Sequence, residues 1–287
     1  MATTDPGAAP GAGRGRNRAL PRPRARPLRD RMPADHTSER EGVAVIGGGI
    51  GGLTTALALR ARGAAVRVHE QADALREVGA GLQISPNGAR VLSALGLDAA
   101  LDARSIRSEA VEPMDGVSGR RIARFDLTRL AGPPYRFVHR ADLIDILAQA
   151  AASHGVALSL GARIEAVAPD GAFGAGPEDH GPGLTVGADG LHSVVRPVLN
   201  GDEAPFFTGQ VAWRTVVPGK HPPVARIWMG PGRHIVTYPL TGGRVNVVAV
   251  QERRAWAEEG WHHPADPADL RHAFKGFSGR VTGYLAQ

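Results

Sequence analysis

Short, wholly apolar runs alternate with stretches whose apolar residues recur every three to four positions, and this alternation organises the chain from Gly42 onward. Val43-Ala44-Val45-Ile46 has the unbroken apolar character of a parallel strand buried on both faces. It runs directly into Gly47-Gly48-Gly49-Ile50-Gly51-Gly52. Leu53, Ala56, Leu57 and Ala61 then fall at helical spacing, and Gly63 is a plausible stop. Val66 and Val68 flank Arg67 in a second strand ending at Glu70. Together these predict a strand, glycine turn, helix and strand within about thirty residues.

Further along, Ser85-Pro86 introduces a helix from Asn87 to about Leu95, with Val91, Leu92 and Leu95 on its inner face. Another runs from about Asp142 to Ser153, with Leu143, Ile146, Leu147 and Ala150 on one side and Gly155 at its end. Val156 to Leu160, Ile164 to Val167 and Leu184 to Val186 read as strands, and the Gly/Pro/Asp stretch from Pro169 to Gly183 as a surface loop. Beyond Pro205 the texture changes. Val211–Val217, Ala225–Met229, Ile235–Tyr238 and Val245–Val250 are strand-like runs separated by Gly/Pro turns, predicting an antiparallel sheet to which residues 106–130 add strands.

Charge is concentrated upstream of this pattern. Residues 1–40 hold nine arginines against Asp5, Asp30, Asp35 and Glu39, which accounts for most of the net charge of +6. That Arg/Pro/Gly-rich segment has too few large apolar groups to offset its chain entropy and is expected to be disordered. An arm binding nucleic acid is disfavoured, because no aromatic residue is interleaved for base stacking. Initiation at Met32 would remove most of the segment. No run approaches the roughly 20 apolar residues of a membrane span, so the expected location is the cytoplasm, with no membrane partner. The chain has no cysteine, which excludes disulfides, thiolate metal sites and cysteine nucleophiles. The His262-His263 pair lacks companion ligands at metal-binding spacing, so no metal site is expected.

The spacing Gly47-x-Gly49-x-x-Gly52 carries a mechanical meaning. Gly47 permits the tight turn, Gly49 lets a pyrophosphate approach the backbone, and Gly52 lets helix and strand pack closely. Negative charge is then stabilised at the helix N-terminus. Glu70 lies 18 residues past Gly52 at a strand end, where its carboxylate would accept from both ribose hydroxyls of an adenosine. An adenine dinucleotide follows from this context, with FAD and NAD not yet separated.

A second motif separates them. Gly187-Ala188-Asp189-Gly190-Leu191-His192-Ser193-Val194-Val195-Arg196 resembles the aspartate-glycine fingerprint of the class A flavoprotein monooxygenases, the family of salicylate and para-hydroxybenzoate hydroxylases. Glu77 to Asn87, His139-Arg140-Ala141-Asp142-Leu143, Ala212-Trp213-Arg214, and Trp228 to Leu240 resemble further segments of the salicylate-hydroxylase-like branch. The resemblance implies an α/β fold: a Rossmann-like FAD-binding domain from residues 41–105 and 133–200, and a mainly antiparallel substrate domain from residues 106–132 and 201–287. It implies FAD contacts by Gly47, Gly49, Gly52, Glu70, Arg140, Asp189 and Gly190. It also implies NAD(P)H as co-substrate and dioxygen as the oxygen source for hydroxylating a small phenolic or aromatic acid. Tyr238 and Arg214 are candidates for the substrate pocket, Arg214 because a guanidinium matches a carboxylate bidentately. Tyr238 and His234 share one strand face, and the sequence leaves open which face that is. No Gly-Asp motif of the kind that completes FAD binding in this family is found before Gln287, so truncation is expected. A weakly active nucleotide-binding remnant and a related flavoprotein reductase remain as alternatives.

Overall fold

The computed structural model describes residues 42–75, 80–175, 178–181, 183–254 and 266–286. The leading segment to residue 40, the start of the Glu77–Asn87 stretch and the His262-His263 pair lie outside them. In chain order the elements are β1 (Val43–Ile46), α1 (Ile50–Arg60), β2 (Val66–His69), β3 (Gly81–Ile84), α2 (Pro86–Ala94), α3 (Asp98–Arg104), β4 (Ser105–Arg107), β5 (Ala110–Asp115), β6 (Phe125–Asp126) and β7 (Arg136–His139). They continue with α4 (Arg140–Ser153), β8 (Ala157–Ser159), β9 (Phe173–Ala175), β10 (Glu178–His180), β11 (Thr185–Gly187), α5 (Arg196–Asn200), β12 (Gln210–Pro218), β13 (Val224–Gly230), β14 (Arg233–Leu240), β15 (Arg244–Glu252), α6 (Pro267–Ala273) and α7 (Gly279–Leu285).

Two main sheets organise the chain. The first has the order β11-β1-β2-β8 and is wholly parallel. Its faces need covering, and α1 and α4 cover one of them: Leu53, Leu57, Leu143, Ile144 and Leu147 are buried against Val45 and Val68. α4 forms because its apolar residues recur at helical spacing, and His139 caps it by accepting from the Ala141 N–H at 3.3 Å. The second sheet has the order β12-β15-β14-β13-β5-β6, antiparallel except where β13 runs parallel to β5. A three-stranded sheet, β3-β7-β4, lies between the two. No helix among the described residues is long and apolar enough to cross a membrane.

Most predicted elements stand where the pattern put them; α3, α5, β3 and β7 arise where none was predicted, and four further differences bear on the packing. Val91 is 47% exposed, and Ala89 takes the inward position beside Leu92 and Leu95. Ile164 to Val167 form no strand: Ile164 is buried by side-chain packing against Ala44, Ile46 and Val195, but its backbone joins no ladder. The Pro169–Gly183 loop contains the β9–β10 hairpin, whose Phe173 packs edge-on to His69 at 5.0 Å. Finally, α6 and α7 close one face of the large sheet, with Leu270, Phe274, Phe277 and Val281 packed on Trp228, Ile235 and Val247.

That closed face holds a polar relay. Trp228 Nε1 donates to Thr237 Oγ1 at 3.0 Å, and Thr237 Oγ1 lies 3.0 Å from His221 Nε2. His221 Nδ1 lies 2.8 Å from the Pro222 carbonyl. A neutral ring satisfies every member: Nδ1–H donates to the carbonyl, and Nε2 accepts from the hydroxyl. Burial pushes the His221 pKa down to about 4. The unfolded chain therefore takes up this proton first, and stability is lost as pH falls from about 6.5 to about 4, by up to about 3 kcal/mol. Urea unfolding across that range should show this loss in the parent chain. In H221Q the loss should shrink, so that the two curves converge toward pH 4.5.

Candidate functional site

The glycine turn joins β1 to α1, and its three glycines do different things. Gly47 has φ +104, and a Cβ there would lie 2.3 Å from the Ala188 carbonyl oxygen. A Cβ on Gly52 would lie 1.8 Å from the Gly47 carbonyl oxygen. Both are therefore required by the protein's own packing. Around Gly49 nothing of the protein lies within 4 Å of a Cβ, so the protein's own packing does not require a glycine there. α1 begins there with no side-chain cap and no acidic residue in its first turn. Its free N–H groups and the positive end of its dipole thus face an open surface, the arrangement that receives a pyrophosphate. The cradle fits a dinucleotide.

Glu70 comes to this turn from the end of β2. Its Oε2 accepts from the Gly48 N–H at 2.6 Å and its Oε1 from the Ala72 N–H at 2.9 Å. The carboxylate expected to meet ribose thus also ties the glycine turn to β2 by a charge-assisted bond. Gly49 and Glu70 share one cleft edge.

The aspartate-glycine motif arrives from the other side. β11 pairs parallel with β1, and the Ala188 N–H donates to the Ile46 carbonyl at 2.7 Å. Asp189 Oδ2 accepts from Val194 N–H at 2.7 Å and Val195 N–H at 3.3 Å, so this carboxylate first organises its own turn into α5. Arg196 Nη2 donates to the Leu191 carbonyl at 2.6 Å and tightens the same turn. Gly190 has φ +76, with open space around it. The two fingerprints, some 140 positions apart, therefore meet at the C-terminal ends of the adjacent parallel strands β1 and β11.

The remaining candidates lie where the three-stranded sheet meets the large one. Tyr238 on β14 is buried and stacks on Phe137 of β7, with centroids 4.9 Å apart and planes 24° apart. Burial pushes its phenol well above the ordinary tyrosine value, so the hydroxyl stays protonated. His234 follows the same face by alternation. Arg214, exposed on β12, lies near enough to feel both Tyr238 and Arg140: partial burial lowers its guanidinium pKa, Tyr238 opposes the shift and Arg140 adds to it. Arg140 opens α4 with its backbone N–H donating to the Ala80 carbonyl at 3.1 Å. The structure so brings Arg140, Arg214 and Tyr238 into one neighbourhood, apart from the glycine turn along the sequence.

Asn246 was not among the sequence-derived candidates. It is fully buried, stands opposite Tyr238 in the ladder, and accepts from the Gly81 N–H through Oδ1 at 2.5 Å. Its Nδ2 has no partner among the described residues. A Cβ on Gly81 would sit 2.7 Å from the Tyr238 ring, so only glycine lets β3 approach this closely. The visible signal was one amide within the apolar run Val245-Asn246-Val247.

An open glycine cradle on a parallel sheet, bordered by a strand-end carboxylate and facing an antiparallel sheet, defines a dinucleotide-binding flavoprotein fold. The chain belongs to the FAD-binding domain family, which matches residues 40–267. It is 36% identical over 263 residues to a 3-amino-4-hydroxybenzoate 2-monooxygenase of Streptomyces platensis, covering 85% of this chain and 65% of that protein. It is 31% identical over 264 residues to 3-hydroxybenzoate 6-hydroxylase 1 of Aquipseudomonas alcaligenes, covering 85% and 66%. The chain thus spans about two thirds of the length of these relatives. Among solved structures, Klebsiella pneumoniae HpxO complexed with FAD and uric acid shares the fold at a TM-score of 0.74 and 24% identity, over 87% of this chain and 66% of that one. FAD is the family's cofactor, and the cradle described above suits it.

The glycines separate folding from binding. G49V should leave the melting temperature of the cofactor-free chain nearly unchanged and weaken FAD binding at least about tenfold, as measured by flavin fluorescence quenching. G52V, which collides with backbone, should unfold at markedly lower temperature. N246A leaves the buried Gly81 N–H without its acceptor and should cost about 1–3 kcal/mol in urea unfolding.

Proposed function

We propose that this chain is the FAD-binding and sheet portion of a monooxygenase that hydroxylates a small aromatic acid, with NAD(P)H and dioxygen as co-substrates, acting in the cytoplasm. The observation that carries the reading is the Gly49 cradle, open where a pyrophosphate must lie and bordered by Glu70. The curated relatives, named for hydroxybenzoate and aminohydroxybenzoate substrates, support the reaction class.

In this reading Gly47 and Gly52 shape the turn, while Gly49 and the first N–H groups of α1 face the pyrophosphate. Glu70 keeps lone pairs for ribose hydroxyls beyond its two backbone donors, and Asp189-Gly190 borders the same edge. When bound, FAD supplies hydride acceptance from NAD(P)H and the activation of dioxygen. The net change converts an aromatic C–H to C–OH, with NAD(P)H oxidised and the second oxygen atom leaving as water. The chain's own residues hold the ring. Arg214 pairs with the substrate carboxylate, since a guanidinium fork matches it and Arg140 nearby deepens the positive potential. Tyr238, kept protonated by burial, is available as a hydrogen-bond donor and not as a base. The unpartnered Nδ2 of Asn246 marks a donor at the same junction.

Purified chain reconstituted with FAD should turn yellow and oxidise NADH or NADPH faster when a hydroxybenzoate is added, with hydroxylated product found by mass spectrometry. R214Q should raise KM for the acid about tenfold or more while FAD retention stays unchanged. Colourless protein that FAD cannot restore would sink the reading in favour of a nucleotide-binding remnant. Oxidation of the nicotinamide without hydroxylated product would favour a reductase.

A further inference from the structure

Glu112 stands on β5 with its neighbour Val111 packed toward Phe137 and Tyr238, so strand alternation turns Glu112 to the opposite face of the large sheet. It is only 2% exposed. Three arginines hold it: Arg121 Nη1 at 2.9 Å and Arg124 Nη1 at 2.8 Å on Oε1, and Arg226 Nε at 3.1 Å on Oε2. Burial alone would raise this carboxyl, but the hydrogen bonds from Arg124, Arg226 and Arg121 outweigh it and keep the group below the ordinary glutamate value. One carboxylate thereby serves three guanidiniums, each of which retains donors that Glu112 cannot take up.

Arg121 and Arg226, though not Arg124, line a cavity of about 590 Å³ together with Arg120 and Arg280. Neither Arg120 nor Arg280 makes an ion pair among the described residues. Four guanidiniums thus line the cavity with the Glu112 carboxylate, and Asp115 lies within electrostatic reach of Arg120. An excess of one sign lining a cleft raises the local concentration of anions. The backbone that leads into Arg120 is fixed at several points. Asp115 Oδ1 accepts from Ser118 N–H at 2.7 Å and from Val117 N–H at 3.1 Å, fixing the turn that carries Arg120. Gly119, at φ +69, leaves no room for a Cβ against Ser278, whose N–H donates to the Gly116 carbonyl at 2.7 Å and docks the turn on α7.

We propose that this cavity is a second anion site, distinct from the nucleotide cradle, that takes a phosphate group through Arg120, Arg121, Arg226 and Arg280. A planar carboxylate is satisfied by one guanidinium fork, whereas guanidiniums carried on a loop, a strand and a helix supply donors enough for the several oxygens of a tetrahedral oxyanion. A free phosphate and one carried on a small ester share this chemistry.

The test titrates the whole chain with inorganic phosphate, and separately with glycerol 3-phosphate, at ionic strength held constant with chloride, by calorimetry and thermal shift. R120Q and R280Q should each weaken binding at least about fivefold, and the double variant should abolish it, with melting temperatures in chloride unchanged. G49V, which alters only the nucleotide cradle, should leave phosphate binding intact. Ester binding at least tenfold tighter than phosphate assigns the site to a phosphorylated metabolite, and equal binding assigns it to the free ion. Equal stabilisation by chloride and phosphate, or binding lost in G49V but kept in R120Q/R280Q, would overturn the proposal.

Discussion

The arrangement depends on a near-contact between two stretches of backbone. Where the Gly47 turn passes the Ala188 carbonyl, and where the first turn of α1 passes the Gly47 carbonyl, there is no room for even one methyl group. Because backbone meets backbone directly, β1, α1 and β11 are held in a fixed relation that no side-chain rotamer relaxes. The Glu70 carboxylate then fastens the turn to β2. What remains uncovered, the surface above Gly49, is open because every neighbouring approach has been closed.

A second close approach sets the large sheet against this frame. Gly81 brings β3 onto Asn246 and Tyr238, and the Phe137–Tyr238 stack fills the space beside it. The buried amide bond is specific where apolar packing is permissive, and it fixes where β3 meets β15. Arg140, from the frame, and Arg214, from the sheet, come within electrostatic reach of each other.

How much of this was legible follows from which forces were local. β1, α1, β2 and the position of Glu70 were readable because unbroken apolar runs, helical spacing and glycine turns are properties of adjacent residues. Ile164 shows the limit: burial is legible as hydrophobicity, but a ladder needs a partner strand that the sequence does not name. The hairpin at Phe173 hid within a glycine- and aspartate-rich stretch, and α6 and α7 were too short for their spacing to stand out. Asn246 and the arginines around Glu112 belong to a different class. For Asn246 and Arg226 the meaning comes from neighbours more than a hundred positions away, Gly81 and Glu112, and for Arg121 and Arg124 from a chain reversal that returns them to Glu112.

The pairing of β1 with β11 also bears on how the chain is made. Val45 lies against Val186, so the innermost strand of the parallel sheet stays open on one edge until residues far downstream have left the ribosome. Closing so long a span is slow, and an unpaired apolar edge invites association with other chains meanwhile. Nascent chains shorter than about residue 190 are therefore the stage at which molecular chaperones have most to protect.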